Sequence, residues 1–133
     1  MKETEKGLIG RVGEETAARF LVKRGFSIVE KNYRKKWGEI DVIAKKDGIL
    51  RFVEVKTVSR ENLQEFSRDT TADTYNPEEN VHPWKLKRLS RAIQTYLIDR
   101  KLEESEWQFD VIAVFLDLKR KEARVEHIEN VSL

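Results

Sequence analysis

Two stretches of strict alternation stand near the middle of the chain. Residues 39–46 (EIDVIAKK) and 49–57 (ILRFVEVKT) both follow the two-residue period of a half-buried strand, and Asp47-Gly48 separates them. Asp-Gly is the preferred filling of a two-residue type I′ turn, in which both central residues take positive φ. Such a turn sets Lys46 against Ile49, so that every facing pair of the hairpin sums to 95. On one side Ile40 then faces Val55 and Val42 faces Val53, which directs that side at the core. On the other side Ile43 faces Phe52, Asp41 faces Glu54 and Glu39 faces Lys56.

Helical periodicity flanks the hairpin. Residues 8–24 predict a helix closed by Gly25, with Ile9, Gly13, Ala17, Phe20 and Leu21 on its inner side. Residues 26–32 predict a first strand, followed by a basic, aromatic connection of Tyr33, Arg34, Lys35, Lys36 and Trp37. Pro83 opens a second helix running to about residue 100, with Leu86, Leu89, Ile93, Tyr96 and Leu97 inward. Residues 107–118 carry the continuous apolar run of a central strand, and 123–131 read as an edge strand. The order αβββαββ places the chain in the α/β (α+β) class, with a mixed central sheet flanked by helices.

Between the hairpin and the second helix, residues 58–82 keep no sustained period and predict a long mobile loop, with room for a short helix around 63–66. With 133 residues in all, the expectation is one domain over residues 1–133.

Composition narrows the chemistry. The chain has no cysteine, so thiolate metal sites, disulfides and cysteine nucleophiles are excluded and a metal must sit on oxygen or imidazole. The longest apolar run is far too short for a membrane span and the polar start lacks a secretory core, so a cytoplasmic protein with no membrane partner is expected. The formal net charge of +2 conceals blocks of +6 over residues 1–60, −5 over 61–80, +5 over 81–101 and −4 over 102–133. Concentrated positive charge fits a polyanion, whose counterions it releases; solvated helix faces are the alternative. Because the two basic blocks flank the hairpin acids, Arg34, Lys35 and Lys36 with Trp37, and Lys85 and Arg88 on the second helix, are predicted phosphate contacts.

The hairpin itself carries the strongest chemical signal. Two facing carboxylates at about 5 Å repel by an energy on the order of 3 kcal/mol at an effective dielectric near 20. A divalent cation between Asp41 and Glu54 reverses that sign, and paired carboxylates suit a hard ion such as Mg²⁺ or Mn²⁺. Lys56, on the same face, would orient water or neutralise charge developing on a phosphate. The competing arrangement is a salt-bridge ladder that pairs Lys56 with Glu39. Glu14 borders the buried side of the first helix, either snorkelling there or placed for use. His82 and His127 belong to no ligand-spaced cluster and read as structural.

The segments GRVGEETAARFL, NYRKKWGEIDVIA, FVEVKT, NVHPWKLKRLSRAIQTYL, FDVIAV and HIEN resemble the YraN family of bacterial proteins. That family is similar to Holliday junction resolvases within the PD-(D/E)XK, or restriction-endonuclease-like, nuclease superfamily. The resemblance implies a restriction-endonuclease-like core and an endonuclease acting on DNA, with branched or damaged DNA as the candidate substrate, Asp41 and Glu54 as metal ligands and Lys56 assisting hydrolysis. It also adds Glu14 to the metal ligands, and the dimeric junction-cutting relatives imply a homodimer. Two positions depart from the pattern: Ile40 replaces the proline before Asp41, and Val58 stands where the family has arginine. The latter favours the alternative of a module that binds nucleic acid or a partner without cutting.

Overall fold

The computed structural model describes residues 3–60 and 83–133. Its elements run α1 (Glu5–Lys23), β1 (Ser27–Lys35), β2 (Gly38–Lys46), β3 (Ile49–Arg60), α2 (Pro83–Asp99), β4 (Trp107–Asp117) and β5 (Glu122–Ile128). This is the predicted αβββαββ order. Thr4 caps α1 by accepting from the Gly7 amide at 3.0 Å, and Gly25, at φ 90°, ends it. The helix therefore begins three residues earlier than its apolar pattern does. β3 continues through residues 58–60, which the sequence pattern assigned to a loop; there it pairs residue for residue with β4. The rest of that expected loop, including the short helix at 63–66 and His82, lies outside the described residues.

Five strands form one mixed sheet in the order β1-β2-β3-β4-β5, antiparallel except for the parallel pair β3/β4. Each helix covers one face. Beneath α1, Ala17 and Leu21 pack with Val42, Ala44, Val53, Ile112 and Val114. Beneath α2, Leu89, Ile93, Tyr96 and Leu97 pack with Ile43, Phe52, Phe109 and Val111. Tyr96 meets Tyr33 and Phe52 edge-on at 5.2 and 5.6 Å. With both faces covered, β4 is buried from Phe109 to Asp117, which accounts for its unbroken apolar run. Among the described residues no helix is long and apolar enough to cross a membrane.

The hairpin turn has the predicted form, with Asp47 at φ 52° and Gly48 at φ 78°. Pairs from Lys46↔Ile49 to Val42↔Val53 keep the expected register. Beyond Val42 the regular pairing stops, and the Val55 amide donates to Asp41 Oδ2 at 2.8 Å. On the neighbouring strand Asn32 takes φ 53°, between the pairs Lys31↔Val42 and Tyr33↔Ile40. This kink corrects one expectation: Ile40 does not share a side with Val42 and Val55 but joins the core beneath α2. A side chain that takes the place of a strand acceptor interrupts the pleat, so the alternation changes phase there.

Two glycines set how closely the helices approach this region. A Cβ on Gly13 of α1 would lie 1.9 Å from Thr57 Oγ1 and 2.8 Å from Thr57 Cβ on β3, and one on Gly38 would lie 2.6 Å from the Arg88 carbonyl oxygen on α2. Alanine at an ordinary helix position would add about 1 kcal/mol of stability over glycine. At position 13 the overlap reverses the sign, and Gly13→Ala is expected to lower the unfolding free energy by about 1–3 kcal/mol in urea titrations. Thr57→Ala in the same chain should recover part of that loss. Additive effects of the two substitutions would exclude the contact as the cause.

Candidate active site

Asp41 and Glu54 come together where the hairpin opens. Glu54, from the buried middle of β3, is 3% exposed. Asp41 reaches toward it from β2, beyond the last regular β2/β3 pair, and accepts from the Val55 amide at 2.8 Å. Burial, and then the negative charge of Glu54, push the Asp41 carboxyl up to about 8. Asp41 therefore keeps its proton at neutral pH. Lys56 Nζ lies 4.0 Å from Glu54 Oε1, and burial together with the nearby Lys85 ammonium lowers its pKa.

The salt-bridge ladder that the strand pattern allowed is not what forms. Glu39 pairs with Arg34 at 3.2 Å, while Lys56 turns to Glu54. Glu14 stands at the border of the same acidic region, its carboxyl pushed up by burial and by Glu39. The Asn32 amide, with its nitrogen toward the acids, bridges Glu14 Oε2 at 3.1 Å and Glu39 Oε1 at 3.3 Å. Glu14 is thus held near the pair, close enough for its charge to act on Asp41 and for that of Glu54 to act on it.

A cleft of about 400 Å³ opens onto the two acids, lined also by Lys35, Lys36, Trp37, Trp84, Lys85 and Arg88. Four of the five predicted phosphate contacts line it. Arg34 does not: its guanidinium pairs at 3.2 Å with Glu39, which itself lines the cleft. Lys85 goes further in than expected, its Nζ donating to Glu54 Oε1. Burial alone would lower the pKa of Lys85, but the bond to Glu54 and that carboxylate's charge outweigh it and raise the value. Arg88 lies over the Trp84 ring at 4.7 Å and Arg91 over Trp37 at 4.4 Å, so each tryptophan carries a guanidinium. A larger groove of about 520 Å³ between α1 and β1, lined by Ala18, Val22 and Ile28 among others, contains none of the predicted site residues.

A second polar group was not legible in the sequence. Asp110 of β4, His127 of β5 and Glu129 offer ligand atoms within 4.8 Å of one another and could hold a metal ion. This corrects the expectation that His127 joins no ligand cluster. Here those atoms have other partners. Asp110 accepts from Gln108 at 2.8 Å, from the Asn130 amide at 2.9 Å, and faces His127 Nε2 at 2.8 Å. Arg51 adds its guanidinium at 2.6 Å from Glu129 and 3.6 Å from Asp110. Burial would raise the Asp110 pKa, yet these hydrogen bonds and the imidazole bring it below its ordinary value. An ion there would have to displace Arg51 and break the hydrogen bonds that already fill Asp110.

The family model described as "Uncharacterised protein family UPF0102" matches residues 13–114. The chain belongs to this family. A UPF0102 protein of Flavobacterium psychrophilum is 38% identical over 92% of this chain and 91% of its own length. Those of Dictyoglomus turgidum and Geotalea daltonii are 37% and 39% identical over 92% of this chain, and over 94% and 87% of their own lengths. This is the family that the YraN resemblance indicated. The span matched by the UPF0102 model includes Gly13, Glu14, Asp41, Glu54, Lys56 and Lys85, and it ends before His127 and Glu129.

The Asp41 proton makes stability depend on pH. The folded chain keeps it until about pH 8, whereas an unfolded aspartate loses it near pH 4. Unfolding between those values releases a proton, so the contribution of Asp41 to stability falls as pH rises through that window. Asp41→Asn should match wild type in stability at pH 4 and exceed it by about 1–3 kcal/mol at pH 8, in parallel urea titrations. Equal stability differences at the two pH values would contradict a protonated Asp41 in the folded chain.

Proposed function

We propose that this chain is a metal-dependent nuclease that hydrolyses DNA phosphodiesters, with Asp41 and Glu54 as metal ligands, Glu14 as their outer partner and Lys56 as the catalytic ammonium. One observation carries the reading: the buried Glu54 and the half-buried Asp41 bring two carboxylates together at the floor of a cleft whose rim is basic and aromatic. Such a pair is costly to keep without a cation, and it offers hard oxygen donors to Mg²⁺ or Mn²⁺. A bound divalent ion would lower the pKa of water and polarise a phosphoryl oxygen. The chain's own residues do the rest. Lys35, Lys36 and Arg88 hold the phosphate backbone from the rim, Trp37 and Trp84 pack beside it, and Lys56 supplies positive charge where the phosphate gains negative charge. A DNA substrate agrees with work in the cytoplasm, and a two-fold homodimer would supply one such cleft to each strand of a branched molecule.

The alternative, a module that binds nucleic acid or a partner without cutting, is favoured by one position. Val58, where an arginine would hold a phosphate, packs against the cluster of Ala113 and Phe115.

Mn²⁺ should raise the melting temperature of wild type, and more at pH 8 than at pH 6, because the ion must displace the Asp41 proton. Asp41→Asn should remove that gain. Lys56→Ala should retain it and lose cleavage of a panel of single-stranded, duplex, flap and four-way DNA by at least about a hundredfold. Metal binding without cleavage of any panel member would leave the binding module as the function.

Reversing Lys35 and Lys36 to Glu should weaken duplex binding and flatten its dependence on salt. Unchanged affinity would assign the rim charges to solvation.

A further inference from the structure

Glu54 is almost fully enclosed, with its side chain 4% exposed, yet two ammonium groups converge on its Oε1. They reach it from different elements. Lys56 projects from β3 itself and is 26% exposed. Lys85 comes from the first turn of α2, is 36% exposed, and lines the same cleft as Lys35, Lys36 and Arg88. Its ammonium makes the direct hydrogen bond to the carboxylate.

An ammonium and a divalent ion cannot occupy the same place against one carboxylate oxygen, and the two repel at such range. A metal entering at Glu54 must therefore expel one of the lysines. Lys85 is the one with somewhere to go: its long stem is rooted at the rim of the cleft, where a phosphate would lie, whereas Lys56 is anchored in the paired strand. We propose that Lys85 is the built-in counter-cation of Glu54, that a divalent ion displaces it, and that its ammonium then turns to a phosphate in the cleft. This rests on the reading of Asp41 and Glu54 as metal ligands. Lys85 acts here as a positioning residue. It keeps the buried carboxylate paired when no ion is present and becomes an additional phosphate contact when one is.

The test compares the full-length wild type with Lys85→Met, which keeps the stem and removes the charge, and Lys85→Arg, which keeps the charge. Mn²⁺ titration calorimetry without DNA should give about tenfold tighter binding for Lys85→Met and a value within about threefold of wild type for Lys85→Arg. In a Lys56→Ala background, which leaves DNA uncut, Lys85→Met should reduce duplex affinity severalfold with saturating Mn²⁺ and change it little without the ion. Its salt dependence should fall by about one phosphate contact only when Mn²⁺ is present. Mn²⁺ affinity that is unchanged or weaker in Lys85→Met would overturn the exchange, as would equal tightening in Lys85→Arg. An equal loss of duplex affinity with and without the ion would make Lys85 an ordinary phosphate contact. If neither wild type nor Lys85→Met binds Mn²⁺, the metal reading of Asp41 and Glu54 itself fails, and the exchange fails with it.

Discussion

The hydrogen bond from the Val55 amide to Asp41 Oδ2 is a small contact on which much of the site geometry depends. A backbone amide in a buried sheet must find an acceptor. When a side chain supplies it, the two strands no longer need to pair there. Regular pairing of β2 with β3 ends at Val42↔Val53, and β1 accommodates the kink with Asn32 in the left-handed region. Asn32 is among the residue types that tolerate this conformation best, and its amide then meets Glu14 and Glu39. One interrupted ladder thus opens the hairpin, aims Asp41 at Glu54 and gathers two further acids nearby.

Electrostatics at the opening is balanced by proximity rather than by solvent. Glu54 is buried, so its charge must be met by partners, and Lys56 and Lys85 meet it from β3 and from α2. Asp41 answers the same pressure by holding a proton. The arrangement depends on α2 lying close to the start of β2, which Gly38 permits beneath the Arg88 carbonyl, and on α1 lying close to β3, which Gly13 permits beside Thr57. Larger residues at either point would push a helix, and with it Lys85 or Glu14, away from the acids.

The Asp110 network illustrates the opposite regime. Asp110 has its hydrogen bonds filled by Gln108, His127 and the Asn130 amide, and Arg51 covers Glu129. It ties β3, β4, β5 and the segment after β5 together. The Asp41–Glu54 pair, by contrast, faces an open cleft and needs a proton or lysines to be tolerable. Hydrogen bonds from its neighbours fill Asp110, whereas Glu54 depends on the ammonium groups of Lys56 and Lys85 and Asp41 on its proton.

How much of this was legible in the residues alone depends on the range of the signal. Strand alternation, the Asp-Gly turn and the helix punctuation at Gly25 and Pro83 are local, and they determined the element order and the hairpin register from Lys46↔Ile49 to Val42↔Val53. Local signals could not decide where regular pairing ends, because that depends on a side chain replacing a backbone acceptor; Ile40 changed sides for this reason. Nor could they place Lys85 on Glu54, 31 residues away in the chain, or join Asp110 to His127 and Glu129 across β4 and β5. Those contacts exist only once α2 is laid over the sheet and β5 is added to its edge. Residue pattern determines which side chains an element presents, and only the packing of elements decides which charges are forced to share one buried place.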